Sequence, residues 1–281
     1  AVSSGYYDGY GSAHHYNWTR QSFAHNTVTI DGAGQLNYSH DSGGFVDSLW
    51  RDSRCCYFRG DAGRSYGADR VARYRRHVLF FFDRPWFVLL DELELVWPAT
   101  VQWHVHSFEP IEADESGRRV RLRRGQAGAE VALLYHLDGY ARTWEGFDPP
   151  PSVRDPAWRQ RYYKNQYHYR FGTGHSAKTH RIAAVFVPTA RRIGPAPPIK
   201  TSMDGRTEIA RLRWPDRQEL LLVGHGQAID AMDFASDALL LHASMDADGQ
   251  PWQIDLIEGQ HVRWRGQAPT CPVTLLPADR R

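Results

Sequence analysis

Hydrophobic residues recur along this chain in short runs and in strict alternation, the two patterns that predict β-strands. The segment 76–94 holds two apolar runs separated by Asp83-Arg84-Pro85, which predicts a hairpin. Residues 27–30 favour a strand, and Asp31-Gly32 directly after them is a turn signal. Further strand patterns cover residues 100–108, 118–124, 129–137, 178–188, 217–226, 237–244 and 251–266, the last as a hairpin through Glu258-Gly259.

The alternation in segment 100–108 predicts the two faces of one strand. One face is apolar (Val101, Trp103, Val105) and the other is polar (Gln102, His104, His106). Two imidazoles two residues apart can bind a metal, but no third ligand is evident, which favours a structural role. Residues 165–171 also alternate, and a saccharide contact there is a further hypothesis.

The recurring strand patterns predict an all-β protein, an antiparallel two-sheet β-sandwich. No segment keeps a 3.6-residue apolar period for three turns, and the best helical candidate, residues 155–163, is short. The Pro-rich segment 193–205 is predicted to be a linker. It would separate a main sandwich (residues 1–192), which carries the active-site loop, from a smaller C-terminal β-sheet region (residues 206–281).

Composition narrows the function classes. The net charge of +2 gives no overall field that favours nucleic acid, and apolar runs such as residues 78–82 are too short to cross a membrane. Lysine occurs only at positions 164, 178 and 200, so nearly all cations are arginines, which suit carboxylates and sulfates. Ten Trp and fourteen Tyr fit β-rich cores and also fit sugar stacking. Three cysteines, two of them adjacent, form neither a disulfide framework nor a zinc motif.

Candidate chemistry is densest near the start of the chain. Glycines at positions 5, 9 and 11 indicate a loop, the kind of segment in which binding residues are often found. This loop is rich in tyrosine, histidine and other hydrogen-bonding side chains, namely Tyr6, Tyr7, Asp8, Tyr10, His14, His15, Tyr16, Trp18, Arg20, Gln21, His25 and Asn26. A plain surface loop with solvated histidines is the alternative interpretation.

Residues 3–35, SSGYYDGYGSAHHYNWTRQSFAHNTVTIDGAGQ, resemble the heparinase II/III-like polysaccharide lyases, which include exo-acting alginate lyases. The core of the resemblance is the His-Asn-Thr step, a short strand and Asp-Gly-x-Gly-Gln. Further pieces agree in order: GDAGRSYG (60–67), RYRRHVLFFFDRPWFVLLDEL (73–93), VQWHVHS (101–107), YYKNQYHYRF (162–171) and RIAAVFVP (181–188). The resemblance covers roughly residues 1–190.

The resemblance implies a specific fold and chemistry. Members of this family pair an N-terminal (α/α) toroid with a C-terminal antiparallel β-sandwich and bind the polysaccharide in the cleft between them. They cleave uronic-acid polysaccharides by β-elimination, in which Tyr and His transfer protons and Asn or Arg holds the uronate carboxylate. Several members also bind zinc in the sandwich through two His and an Asp.

Carried onto this chain, the resemblance makes Tyr10, His25 and Tyr7 the candidate catalytic residues. His25 is also the candidate zinc ligand, with the remaining ligands expected upstream of this chain. Candidate substrate-binding residues are His14, His15, Trp18, Arg20 and Asn26, although Asn26 is expected to brace the loop and Trp18 suits burial equally well.

These features together predict the C-terminal part of a polysaccharide lyase acting on alginate or a glycosaminoglycan. Because the toroid supplies most of the catalytic residues in the family, this chain alone is expected to be inactive. Its expected partners are an anionic polysaccharide and the missing toroid, without nucleic acid or membrane. A polymeric substrate implies a periplasmic or secreted location. The alternative is a non-catalytic β-sandwich that binds carbohydrate or has a structural role, and the sequence decides neither the polysaccharide nor endo or exo cleavage.

Overall fold

The computed structural model describes residues 3–6, 8, 10–152, 157–158, 161, 163–190 and 195–276. These residues form 21 β-strands in four sheets, with three short helical turns at His15–Thr19, Ser22–Ala24 and Gly63–Tyr66. The prediction of an all-β antiparallel sandwich is confirmed. Within the described residues, no helix is long and apolar enough to cross a membrane.

The strands of the first two sheets and the connections between them occupy the chain up to residue 190. Their bounds are β1 (Val28–Ile30), β2 (Phe45–Arg51), β3 (Cys55–Asp61), β4 (Val71–Phe81), β5 (Trp86–Ala99), β6 (Val101–Ser107), β7 (Glu112–Ala113), β8 (Arg119–Arg124), β9 (Ala127–Leu134), β10 (Gly139–Glu145), β11 (Tyr167–Thr173) and β12 (Ala177–Ala190). A four-stranded sheet has the order β1-β6-β11-β10, and an eight-stranded sheet has the order β2-β3-β4-β5-β12-β9-β8-β7.

The remaining strands form a six-stranded and a three-stranded sheet. Their bounds are β13 (Ile199–Asp204), β14 (Thr207–Arg213), β15 (Gln218–Gly224), β16 (Ile229–Ala231), β17 (Phe234–Ser236), β18 (Leu240–Met245), β19 (Pro251–Ile257), β20 (Val262–Trp264) and β21 (Val273–Leu276). The orders are β13-β14-β15-β18-β19-β21 and β16-β17-β20. The pair β19–β21 is parallel, whereas the other strand pairs described are antiparallel.

The first sandwich core lies between the four-stranded and the eight-stranded sheet. Val101, Trp103 and Val105 point into this core, as the alternation in the sequence predicts, and pack with Leu93 and Phe186 of the opposite sheet. The polar residues of the same strand therefore lie on the outer face of the four-stranded sheet.

A second core lies on the other face of the eight-stranded sheet, against the six-stranded sheet. Leu79, Trp86 and Val88 meet Leu221 and Ile257 there. The central strands of the eight-stranded sheet are covered on both faces, which explains why Val78, Leu79 and Phe81 are all apolar and buried.

The six-stranded sheet begins inside the segment predicted to be a linker. Residues 199–204 of that segment are strand β13, and Ile199 joins the second core. The division at residues 192 and 206 itself stays a prediction.

One sequence prediction concerning turns is wrong, and a second one is confirmed. The segment 251–266 is not a hairpin, because β19 pairs with β18 and β21 whereas β20 pairs with β17 in another sheet. The turn at Asp31-Gly32 exists, closed by the Ile30–Ala33 bridge, but β1 forms its ladder with β6. The helical candidate 155–163 lies largely outside the described residues.

Candidate active-site loop and its supporting sheet

The N-terminal loop, defined here as residues 3–26, lies against one end of the outer face of the four-stranded sheet. The Trp18 ring centroid is 5.1 Å from that of His168 on β11 and 5.5 Å from that of Phe147. The Trp18 indole N–H donates to Ser4 Oγ at 3.2 Å. Trp18 is 3% exposed, so it anchors the loop and offers no open face for a sugar ring.

His25 lies next to the last residue of the loop and is held through both ring nitrogens. Its Nε2 lies 3.0 Å from the Thr19 carbonyl oxygen, which can only accept, so Nε2 carries the proton. Nδ1 then accepts from the Ser3 hydroxyl at 3.2 Å. The ring is thus held at both nitrogens, with Nδ1 facing the Ser3 hydroxyl.

The donor set around His25 does not by itself make a zinc site. A structural zinc needs about four ligands and a catalytic zinc about three from the protein. Among the described residues, His25 belongs to no group of three or more His, Cys, Asp or Glu ligand atoms spaced for a metal. Through Nδ1 it can supply one ligand.

Asn26 braces the start of β1. Its Oδ1 accepts from the His106 backbone N–H at 3.1 Å, and its carbonyl oxygen accepts from Arg76 Nη1 at 2.7 Å. Arg76 is fixed in turn by a two-bond pair with the buried Asp91, at 2.7 and 2.8 Å. Tyr74 and Trp103 also donate to Asp91, at 2.9 and 3.1 Å.

The support from Arg76 and Asp91 is missing from the sequence prediction. Asp91 lies in β5 directly after an apolar run, and Arg76 lies in the basic first half of β4, 15 positions earlier. An aspartate directly after the apolar run 86–90 was the one available signal, because a buried carboxylate requires partners.

The two adjacent histidines of the loop have different surroundings. His14 is fully buried: it donates from Nδ1 to the Pro149 carbonyl at 2.7 Å and accepts from the Tyr6 N–H at 3.2 Å. His15 is partly exposed, and its ring lies 5.4 Å from the Tyr10 ring. The structure therefore brings His15, and not His14, towards solvent.

Exposed rings and a cation gather on the outer side of the loop. Tyr10 is 73% exposed and lies 6.2 Å from the ring of Tyr16. The Arg20 guanidinium stands 3.6 Å from the ring centroid of Tyr38 and 5.8 Å from that of Tyr16. In the described part of the chain, no hydrogen bond or ring contact joins Tyr10 to His25. Tyr7 lies outside the described residues.

Beneath the loop, buried histidines form a hydrogen-bonded line on the sheet. His168 donates from Nε2 to the Gly146 carbonyl at 2.8 Å, so its Nδ1 accepts from His106 Nδ1 at 2.9 Å. Burial, with the neighbouring imidazoles, lowers the pKa of His106 to about 3, and burial lowers the pKa of His168 to about 4. Both rings are neutral near pH 7 and act as fixed supports.

A second donor cluster lies away from the loop. His77, Glu92 and Glu258 bring one possible ligand atom each to within 4.8 Å of one another. Burial, together with the positive charges of four arginines, lowers the pKa of His77 to about 3. The four arginines are Arg59, Arg75, Arg73 and Arg181. A metal cation would meet those same four charges, so the cluster is a set of core ion pairs.

A family model described as "Heparinase II/III-like, C-terminal" matches residues 1–183, more than half of the chain. No curated protein sequence matches the chain.

Solved structures of larger proteins share the fold. Heparan sulfate lyase HepC from Pedobacter heparinus is similar over 79% of this chain and 34% of its own, with 17% identity and a TM-score of 0.58. A crystal structure of heparinase III is similar over 80% of this chain and 32% of its own, with 15% identity and a TM-score of 0.52. The chain therefore spans about a third of the length of these structures.

Proposed function

The chain belongs to the heparinase II/III-like C-terminal family, and from this membership we propose that it is the C-terminal part of a polysaccharide lyase. The proposed reaction is β-elimination in a uronic-acid-containing polysaccharide, alginate or a glycosaminoglycan. Since relatives of known structure are about three times as long, the proposed catalytic unit includes an N-terminal domain beyond this chain.

The observation that supports this proposal is the arrangement of the His25-Asn26-Thr27 step. This step connects the loop to β1, and Asn26 is fixed to two strands by its bonds to His106 and Arg76. An imidazole held through both ring nitrogens suits proton transfer or ligand binding, because little reorganisation is needed when substrate arrives.

The reaction is redox-neutral: one proton leaves C5, one proton is delivered to O4, and no external oxidant or reductant is needed. A base removes the proton at C5 of the uronate, and the electron pair forms the C4–C5 double bond. The C4–O4 bond breaks, and the departing O4 takes a proton from an acid. A positive or hydrogen-bonding group on the carboxylate stabilises the charge that develops next to C5.

We assign proton transfer to Tyr10 and His25, with Tyr7 as the competing phenol. Tyr10 is exposed and can meet a polymer, and His25 offers Nδ1 once Ser3 is displaced. Arg20 and His15 are the proposed contacts to the uronate. His14, Trp18 and Asn26 are proposed to position the loop, since their polar atoms are bonded within the protein.

Zinc binding through His25 remains part of the proposal only together with ligands from a longer chain. If zinc is bound there, its charge would polarise groups near the loop. A periplasmic or secreted location is proposed because a large acidic polymer is the substrate.

The test uses the longer protein that contains this chain. Alginate, heparin, heparan sulfate and hyaluronan are each incubated with it, and the ultraviolet absorbance of the new C4–C5 double bond is followed. We expect a signal with one polymer and a fall of about 100-fold or more in His25→Ala, since a positioned acid or base contributes that much. His261→Ala, an exposed histidine on the three-stranded side, is the matched control and should keep full activity.

A folded protein that gives no signal with any polymer, with zinc supplied, would contradict the proposal. That outcome would favour the alternative, a carbohydrate-binding or structural β-sandwich.

A further inference from the structure

The outer face of the four-stranded sheet carries its side chains in rows that cross three strands. On this sheet the strand register pairs His104 with Arg170 and Arg170 with Arg142, so these three residues form one row. The rows on either side are Gln102, Gly172 and Tyr140, and His106, His168 and Trp144. By the alternation of the pleat, all of these side chains face away from the core.

The middle row places two positive charges directly opposite each other. Like charges at paired positions of neighbouring strands destabilise a sheet unless an acid or an anion lies between them. In the part of the chain that the structure describes, neither Arg142 nor Arg170 has an ion pair. By contrast, the charge of Arg121 on the eight-stranded sheet is neutralised by ion pairs with Glu130 and Glu112, at 2.5 and 3.2 Å.

Polar atoms without partners lie at the inner end of the same row. His104 is 2% exposed, and its Nε2 donates to Thr29 Oγ1 at 3.0 Å because Thr29 itself donates to Gln102 at 2.7 Å. His104 Nδ1 and Arg170 Nε have no hydrogen-bond partner among the described residues. Both atoms are enclosed by protein, so a ligand at the surface would contact the outer part of the row and not these two atoms.

Aromatic rings flank the charged row on both sides. The Tyr140 ring lies over Gly172, where a Cβ would come within 2.3 Å of the ring, and Tyr140 is 47% exposed. The Arg170 guanidinium is 6.0 Å from the Tyr140 ring centroid, and the Arg142 guanidinium is 5.7 Å from that of Trp144. The two rings are four residues apart on β10, about 13 Å at the usual strand rise.

This surface is continuous with the N-terminal loop. The Trp144 ring lies 5.1 Å from His168, and His168 lies 5.1 Å from Trp18 of the loop. A polymer bound at the loop and running across the sheet would therefore meet Trp144, the two arginines and Tyr140 in turn.

We propose that Tyr140, Arg142, Trp144 and Arg170 form a binding surface for an acidic saccharide, extending the site at the loop. The inference rests on the proposed function for the identity of the polymer. Uronate carboxylates lie against the two guanidinium groups, and the apolar faces of the sugar rings stack on Tyr140 and Trp144.

The test measures binding to the 281-residue chain by titration calorimetry. Ligands are an alginate hexasaccharide, a heparan sulfate hexasaccharide, neutral cellohexaose and a thymidine oligonucleotide. We expect at least one acidic hexasaccharide to bind about tenfold or more tightly than cellohexaose. Arg142→Gln and Arg170→Gln should each weaken that binding about tenfold, the loss expected for one charge-assisted hydrogen bond.

The control Arg263→Gln changes an exposed arginine of β20 and should leave the affinity unchanged. Because Arg142 is exposed, its variant should fold normally, and equal thermal unfolding of both proteins checks this. Equal affinity of Arg142→Gln and the unchanged chain, or tighter binding of the oligonucleotide than of either acidic saccharide, would overturn the proposal.

Failure of this proposal and failure of the lyase proposal are distinguishable. If the longer protein cleaves its polymer and the two arginine variants leave KM unchanged, the lyase stands and the binding surface is wrong. If the chain binds acidic saccharide through these arginines but the longer protein gives no double-bond signal, the surface stands and the lyase is wrong.

Discussion

Asp91 is the single side chain on which the position of the candidate loop most depends. It is fully buried and accepts hydrogen bonds from Arg76, Tyr74 and Trp103, and Arg76 holds the Asn26 carbonyl. Burying a carboxylate costs free energy unless hydrogen bonds satisfy all of its lone pairs, and four hydrogen bonds satisfy those of Asp91. At the scale of residues, the candidate loop is thus fixed by charge pairing within the first core.

We expect Asp91→Asn to lower the free energy of unfolding by about 3–5 kcal/mol, because it leaves the Arg76 charge without its partner. Denaturant unfolding at neutral pH measures the loss. The matched control is Asp216→Asn, which breaks the exposed pair with Arg84 and should cost less than about 1 kcal/mol. Equal losses in the two variants would contradict this account of Asp91.

The buried histidines under the loop predict acid sensitivity. The pKa values of His106 and His168 in the folded chain, about 3 and about 4, lie below the ordinary value of 6.5. The unfolded chain therefore binds protons that the folded chain does not. Stability should be fully present above pH 6.5 and fall as the pH drops towards 4.

Denaturant midpoints between pH 7 and pH 4 test this prediction. His168→Gln, which removes one of the titrating rings, should show a smaller loss of stability between those two pH values than the unchanged chain. A loss of the same size in both proteins would show that His168 does not contribute.

At the scale of elements, periodicity predicts strands well and their partners poorly. The hairpin of β4 and β5 is confirmed. The short turn between the two strands holds them side by side, so each is the nearest available partner of the other. The hairpin predicted for 251–266 is wrong, although Glu258 does adopt a positive φ of 52°. After that turn Asp237 binds the backbone of Gln260 and His261, which directs β20 to β17. Contacts of this kind join distant residues, and no local pattern shows them.

Gly259, in the connection between β19 and β20, lies very close to the backbone of Ala238. A Cβ there would lie 2.5 Å from Ala238 Cα, so Gly259→Ala forces two backbones apart and should cost about 1–3 kcal/mol. Gly43→Ala is the control, because its Cβ would meet nothing within 4 Å. Thermal unfolding measures the stability of both variants. A Gly259→Ala variant as stable as Gly43→Ala would contradict the close contact between Gly259 and the Ala238 backbone.

The candidate site could be predicted from sequence only in part. The loop and the His25-Asn26 step were visible in the sequence as a cluster of chemical groups next to a strand. The burial of His14 and Trp18 was not, because it depends on Pro149 and Phe147, which are distant in sequence. The row of Arg142, Arg170 and His104 was hidden for the same reason, since strand register brings its members together.

At the scale of the whole molecule, the eight-stranded sheet separates two hydrophobic cores. One face supports the four-stranded sheet and the candidate loop, and the other is joined to the six-stranded sheet through the second core. His242 lies in that second interface between Asp255 and Glu219, at 3.0 and 2.8 Å. Burial alone would lower its pKa, but the two carboxylates raise it to about 9, so the imidazole is charged at neutral pH.

The central claim is that this chain belongs to an enzyme that breaks its polymer by elimination. The most direct measurement is mass spectrometry of the products formed by the longer protein from the polymer that it cleaves. The account predicts new ends that carry an unsaturated uronate, one water lighter than the hydrolysis product. Saturated ends, one water heavier, would show hydrolysis, and no new ends from any of the four polymers would show a binding or structural role.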